Sequence, residues 1–275
     1  MSKRFSDLVG VMARLRGKDG CPWDREQTPE TLKPFLIEEA YEVLEAIDAR
    51  DPAMMKEELG DLLFQVVFHS QIAAERGEFG IEGVLAHTIA KMTRRHPHVF
   101  GPGARGKPKK GRPSSGEVLA RWEDLKRKEK GNQKRTSVLD GVPKTLPALM
   151  RAHLLQSRAS RVGFDWKSMR PVWAKVREEI RELEEAVKTG RAARIQDEFG
   201  DVFFALVNLA RFMKLDPEES LRRANNRFTD RFQYVERHSG RPLQEMTPAE
   251  MDGLWEKAKK VRRRKSGRSG RSTSV

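Results

Sequence analysis

The sequence predicts an all-α protein built as duplicated helical-bundle domains, and three observations carry this. Long segments with apolar residues at helical spacing are punctuated by Gly and Pro, whereas strand-like alternation is scarce. The 275 residues suffice for one large domain or two small ones. The chain also repeats itself. Shifted by 140 residues, EEAYEVLEA at 38–46 falls on EEIRELEEA at 178–186, and EELGDLLFQVV at 57–67 falls on DEFGDVFFALV at 197–207. A unit this long holds several helices, so the pattern denotes a duplicated domain and not a solenoid.

The helical segments follow in order between breaks at GCPWDREQTPET, GPGARGKPKKGRPSSG (101–116) and SVLDGVPKTLP (137–147). Two further stretches recur in both halves. KMTRRHPHV at 91–99 matches RFTDRFQYV at 227–235, and ARWEDLKRK at 120–128 matches GLWEKAKKV at 253–261, so Trp122 and Lys126 answer Trp255 and Lys259. The expected organisation is a first domain over 1–136 with a flexible basic insert at 101–116, a second over 137–261, and a disordered basic tail over 262–275. The insert separates Trp122 from its own carboxylates, while the second half has only a short connection.

The net charge of +14 is unevenly placed. Residues 101–135 hold twelve basic and four acidic side chains, and 257–275 hold nine basic and no acidic ones. The remainder is slightly acidic. The excess therefore sits in the linker and tail, where contact with nucleic acid is the alternative to simple solvation. Cys21 is the single cysteine, which excludes a disulfide framework and a Cys-based zinc site and suits a cytoplasmic protein. No apolar run approaches a membrane span, and MSKRFSDLVGVMARL makes a poor signal peptide. GPGARGKP matches GxxxxGK but carries Pro108 where a phosphate loop needs Ser or Thr. His96-Pro97-His98 reads as a helix terminus and GCPWD as a turn with Cys21 packed.

The carboxylates carry the chemistry. Glu39, Glu42, Glu58 and Asp61 are spaced 3, 16, 3, and Glu179, Glu182, Glu198 and Asp201 repeat that spacing. Residues three apart share a helix face. Thr189-Gly190-Arg191 is a natural turn, so two antiparallel helices bring four acids together. Four converging anions need a counter-charge. An all-oxygen donor set suits Mg²⁺, with Mn²⁺ as a substitute. The helix from Glu198 is apolar nearly all round, which predicts burial on most sides, with Asn208 continuing a polar stripe. Gln65 and His69 continue it in the first half. Arg227 and Arg231, one turn apart, suit phosphate oxygens, and Lys91 and Arg95 repeat them. Trp255 and Lys259 share a face that suits a nucleoside and a phosphate. Lys175 lies one turn before Glu179 and can face the same cleft.

With these residues in place, the chain resembles the MazG family of nucleoside triphosphate pyrophosphohydrolases from about residue 5 to 261. GCPWD, EEAYEVLEAI, EELGDLLFQVVFH and RRHPHVFG resemble its long, two-copy form. The resemblance implies an all-α fold, a homodimer, and Mg²⁺-dependent hydrolysis of NTPs to NMP and diphosphate. In that form the C-terminal copy is the active one. It then implies metal held by Glu179, Glu182, Glu198 and Asp201, and phosphates held by Lys175, Arg227, Arg231 and Lys259. Trp255 is left for the nucleoside and Glu178 for the base that activates water. The alternative is a helical nucleotide-sensing or nucleic-acid-associated protein that binds without hydrolysis.

Overall fold

The computed structural model describes residues 3–101, 114, 116–118 and 137–269, with the side chains of the final helix to Val261. Among these residues every regular element is helical. The chain divides into two compact units, Met1–Gln133 and Lys134–Val275.

In the first unit the helices are α1 (Lys3–Arg16), α2 (Pro22–Glu26), α3 (Lys33–Ala49), α4 (Pro52–Glu75), α5 (Ile81–Arg95) and α6 (Pro97–Phe100). α3 lies along α4, and α1 and α5 also pack on α4. Met12, Leu32, Val67, Phe68 and Ile72 form the core, with Phe35 and Phe64 against it. The second unit holds α7 (Ala148–Arg161), α8 (Met169–Thr189), α9 (Ala192–Phe212), α10 (Pro217–His238) and α11 (Pro248–Ser269). α8 lies along α9, α7 packs on α9 and α10, and α10 packs on α11. Val172, Val176, Ala205 and Leu209 form the core, closed by Met169 and Phe212.

Each unit is centred on a helical hairpin with a two-residue turn, and the two turns are stabilised differently. In α3–α4, Asp51 caps the second helix by accepting from the amides of Ala53 and Met54, with Pro52 at the first helical position. The preceding Arg50, however, takes the left-handed conformation at φ 54°. In α8–α9 the matching left-handed position is Gly190 at φ 65°, which tolerates it freely, but Arg191 supplies no cap.

A bidentate ion pair ties each unit together. Arg16 at the end of α1 grips Glu75 at the end of α4, at 2.7 Å. In the second unit Arg211 grips Asp165 through two bonds of 2.6 and 2.9 Å. Asp165 also accepts from the amide of Trp166, so the Phe164-Asp165-Trp166 segment is pinned to the last turn of α9. The Arg211 guanidinium holds the Asp165 carboxyl below its ordinary value of 3.8.

Two expectations need correction. The helix that begins near Glu198 is not buried on most sides: Phe199, Phe203, Phe204 and Leu206 are exposed within the chain. An apolar pattern reports a face that excludes water, and an intermolecular face reads the same as a core. The final helix continues to Ser269, so residues 262–269 of the expected disordered tail have helical backbone. Lys and Arg are good helix formers, so KKVRRRK extends the helix. Residues 102–113 of the basic insert, Trp122, Lys126 and 270–275 lie outside the described residues.

Replacing Arg50 with Gly relieves the left-handed strain and is expected to stabilise the protein by about 1 kcal/mol in chemical denaturation. Gly190→Ala is expected to have the opposite sign. The Asp165 carboxyl is depressed in the folded state, so its stabilisation is full above pH 3.8 and is lost as pH falls through the depressed value. Asp165→Asn is expected to cost about 1–2 kcal/mol at neutral pH and to reduce the loss on acidification.

Candidate active site

The turn at Gly190 folds α9 back along α8, and this sets facing carboxylates against one another. α8 contributes Glu178, Glu179 and Glu182 with Lys175 one turn earlier, and α9 contributes Glu198 and Asp201. Carboxylate oxygens of Glu179, Glu182 and Glu198 all lie within 4.8 Å of one another. Glu179 is only 6 % exposed. Asp201, the fourth expected member, lies one turn beyond Glu198 and lines the wall of an adjoining cavity together with Lys175 and Glu179.

Buried like charges this close require compensation. Lys175 supplies part of it: its Nζ donates to Glu179 at 2.7 Å and to Glu178 at 3.0 Å. The Glu179 bond, then the Glu178 bond, raises the Lys175 pKa against the opposing effect of burial. Arg194 Nε lies 3.5 Å from Glu198. Two monovalent side chains do not neutralise five carboxylates. The donors are all hard oxygens, with neither His nor Cys among them, so the set fits a hard divalent cation.

The first unit has the same acids in a different electrostatic setting. Oxygens of Glu39, Glu58 and Asp61 lie within 4.8 Å of one another. Burial raises the Glu39 pKa, and the charges of Asp61, Glu42 and Glu58 add to it while a bond from Gln65 opposes. Glu58 is also raised, by desolvation and then by Glu42 and other acids. Glu42 thus stands close enough to act on both. The positions 140 residues before Lys175 and Arg194 hold Phe35 and Met54, so neither cation is repeated. Phe68 stands where the second unit has Asn208, and it is packed in the core.

The cavity beside the second cluster has a volume of about 370 Å³. Phe164, Trp166, Phe204, Gln156 and Asn208 line it along with the charged residues. Among the expected site residues, Trp255, Arg227, Arg231 and Lys259 do not line it. Trp255 packs on Phe228, with ring centroids 5.3 Å apart, and the Arg231 guanidinium lies 5.6 Å over its ring. Lys259 pairs with Glu256 on its own helix, and Arg227 is half-buried on α10. Sequence reasoning passed over Phe164, Trp166 and Gln156. The available signal was the pair of aromatics flanking Asp165, just ahead of the carboxylate helix.

Comparison with known proteins follows this geometry. The model of the MazG nucleotide pyrophosphohydrolase domain matches residues 27–100 and 168–236, one segment in each unit. A Thermotoga maritima protein named nucleoside triphosphate pyrophosphohydrolase/pyrophosphatase MazG is 48 % identical over 258 residues, covering 93 % of this chain and 95 % of that one. The Escherichia coli K12 nucleoside triphosphate pyrophosphohydrolase is 44 % identical over 259 residues, covering 93 % and 96 %. A Mycobacterium tuberculosis protein of the same name is 37 % identical over 163 residues, covering 58 % and 46 %. Paired acids on a tight helical hairpin, present in both units and matched by the family's domain in both, place this chain in the MazG family.

Proposed function

We propose that the protein is a nucleoside triphosphate pyrophosphohydrolase that converts NTPs and dNTPs of broad base type to the monophosphate and diphosphate. The observation that carries this reading is the meeting of Glu179, Glu182 and Glu198 across the α8–α9 hairpin. The names of the relatives support it. The four carboxylates, Asp201 included, would hold Mg²⁺, or Mn²⁺ in its place. A bound cation of this kind supplies Lewis-acid stabilisation of phosphoryl charge and a more acidic water.

The chain's own residues have distinct tasks. Lys175 already neutralises Glu179 and Glu178, and with a substrate present its ammonium reaches phosphate oxygens instead. Arg231, held over Trp255, together with Arg227 and Lys259 forms a basic group suited to the outer phosphates, with Trp255 a platform for the nucleoside. Glu178 stays ionised beside Lys175 and takes the proton of the attacking water. Attack at the α-phosphorus breaks the α–β anhydride, releasing diphosphate as the leaving group.

We place turnover in the second unit. Only there do Lys175 and Arg194 balance the acids, and only there does Asn208 leave space that Phe68 fills in the first. We further propose a homodimer, within a cytoplasmic setting. Leu59, Leu63 and Val66 on α4 and Phe199, Phe203 and Leu206 on α9 are exposed and stand 140 residues apart, pair by pair. A second copy of the chain supplies a matching apolar face for such a stripe. Among the described residues no helix is long and apolar enough to cross a membrane.

Glu179→Gln, Glu198→Gln and Asp201→Asn are each expected to lower diphosphate release from mixed NTPs and Mg²⁺ by at least about 100-fold with circular dichroism unchanged. The double variant Glu39→Gln/Glu58→Gln is expected to retain turnover. Parent-like rates in the first three would refute the site, and NTP binding without diphosphate release would favour the non-hydrolytic alternative. Phe203→Asp is expected to halve the mass seen by light scattering, and an unchanged mass would remove α9 from the dimer interface.

A further inference from the structure

We propose that the cavity between α7, α8 and α9 is the nucleobase pocket, and that Gln156 and Asn208 are the residues that read the base edge. This rests on the reading that the adjoining carboxylates and Lys175 hold the triphosphate.

The cavity has the size and character of a small-molecule site. Val172 and Phe204 give it apolar walls, and Phe164, 82 % exposed, stands at its rim beside Trp166. Such an exposed aromatic, pinned in place through Asp165 and Arg211, is a preorganised face for a flat ring. At the other side the lining reaches Lys175, Glu179 and Asp201. A ligand filling the cavity therefore has its ring in an apolar environment and its charged end at the carboxylate cluster. That is the polarity of a nucleotide.

Two buried amides make the pocket specific to a base and not to any apolar ring. Gln156 is 8 % exposed, and its Nε2 donates to the Phe204 carbonyl at 2.7 Å. A carbonyl only accepts, so the amide is fixed with Oε1 left over. That oxygen is buried and has no hydrogen-bond partner. An unpaired buried acceptor is costly, and a ligand N–H removes the cost. Asn208 is 6 % exposed and accepts from Arg211 Nε at 2.9 Å. A guanidinium only donates, so Asn208 presents its NH₂. The pocket thus displays one acceptor and one donor, both locked by partners that do not reverse. Nucleobases share an edge on which an N–H or amino group neighbours a ring nitrogen or carbonyl. One acceptor and one donor match that shared feature and do not select a single base. Asp165 and Arg211 act as positioning residues, because they hold Asn208 and the aromatic rim together. Trp255 does not line the cavity, which leaves it to the sugar.

The test measures dissociation constants on the full chain with Mg²⁺, for a non-hydrolysable ATP analogue and for inorganic tripolyphosphate, which lacks a base. The parent is expected to bind the analogue more tightly. Gln156→Leu, Asn208→Leu and the cavity-filling Ala159→Phe are expected to weaken the analogue about 10-fold or more while tripolyphosphate stays within about 2-fold. Trp255→Ala is expected to keep most of the difference. The proposal is overturned if the three variants leave the analogue's affinity unchanged, or weaken both ligands equally. It is also overturned if Trp255→Ala alone erases the difference. A parent that shows the affinity difference but releases no diphosphate would sink the hydrolytic reading and leave the base pocket standing.

Discussion

Repulsion among carboxylates brought to one point by a helical hairpin is the constraint on which the rest of the second unit depends. Glu179, Glu182 and Glu198 meet within 4.8 Å, and Glu179 is almost wholly buried. Packing of Val172, Val176, Ala205 and Leu209 holds the two helices in this register. The core therefore stabilises an arrangement that electrostatics opposes, and the opposition is relieved by positive charge. Lys175 is the resident part of that charge. A cation and a triphosphate supply the remainder and the reason for tolerating it.

The first unit shows what the same hairpin becomes with different neighbours. Phe35 and Met54 replace the two cations, and Glu39 and Glu58 are pushed toward protonation. Phe68 fills core space where the other unit has the polar Asn208. The acids persist, but the balancing charge and the adjoining cavity wall do not. The two turns diverge in a complementary way, a good cap with a strained Arg50 in one and a relaxed Gly190 without a cap in the other. Each hairpin keeps one local stabilising feature and forgoes the other.

Much of this was legible in the sequence because helices have a fixed period. Spacing of 3 puts Glu179 with Glu182 on one face, and a Gly at the turn brings in Glu198. The i, i+4 relation likewise puts Lys175 on Glu179. What escaped detection depends on contacts distant in the chain. The Phe164-Asp165-Trp166 segment has no period, and its place is set by Arg211, 46 residues away. Gln156 looks like any polar residue on an amphipathic helix until the Phe204 carbonyl across from it is known. The stripe of Phe199, Phe203 and Leu206 was read as core because hydrophobicity carries no label for the molecule that covers it. The continued helix at 262–269 was missed because charge content was weighed above helix propensity.

The central claim is that the second unit's acids bind a divalent cation against a triphosphate. Its most direct measurement is a crystal structure with Mn²⁺ and a non-hydrolysable NTP analogue, read by anomalous scattering. The account expects an anomalous peak among Glu179, Glu182, Glu198 and Asp201, in contact with phosphate oxygens. A peak absent from these residues while the analogue is bound with its metal elsewhere would contradict it.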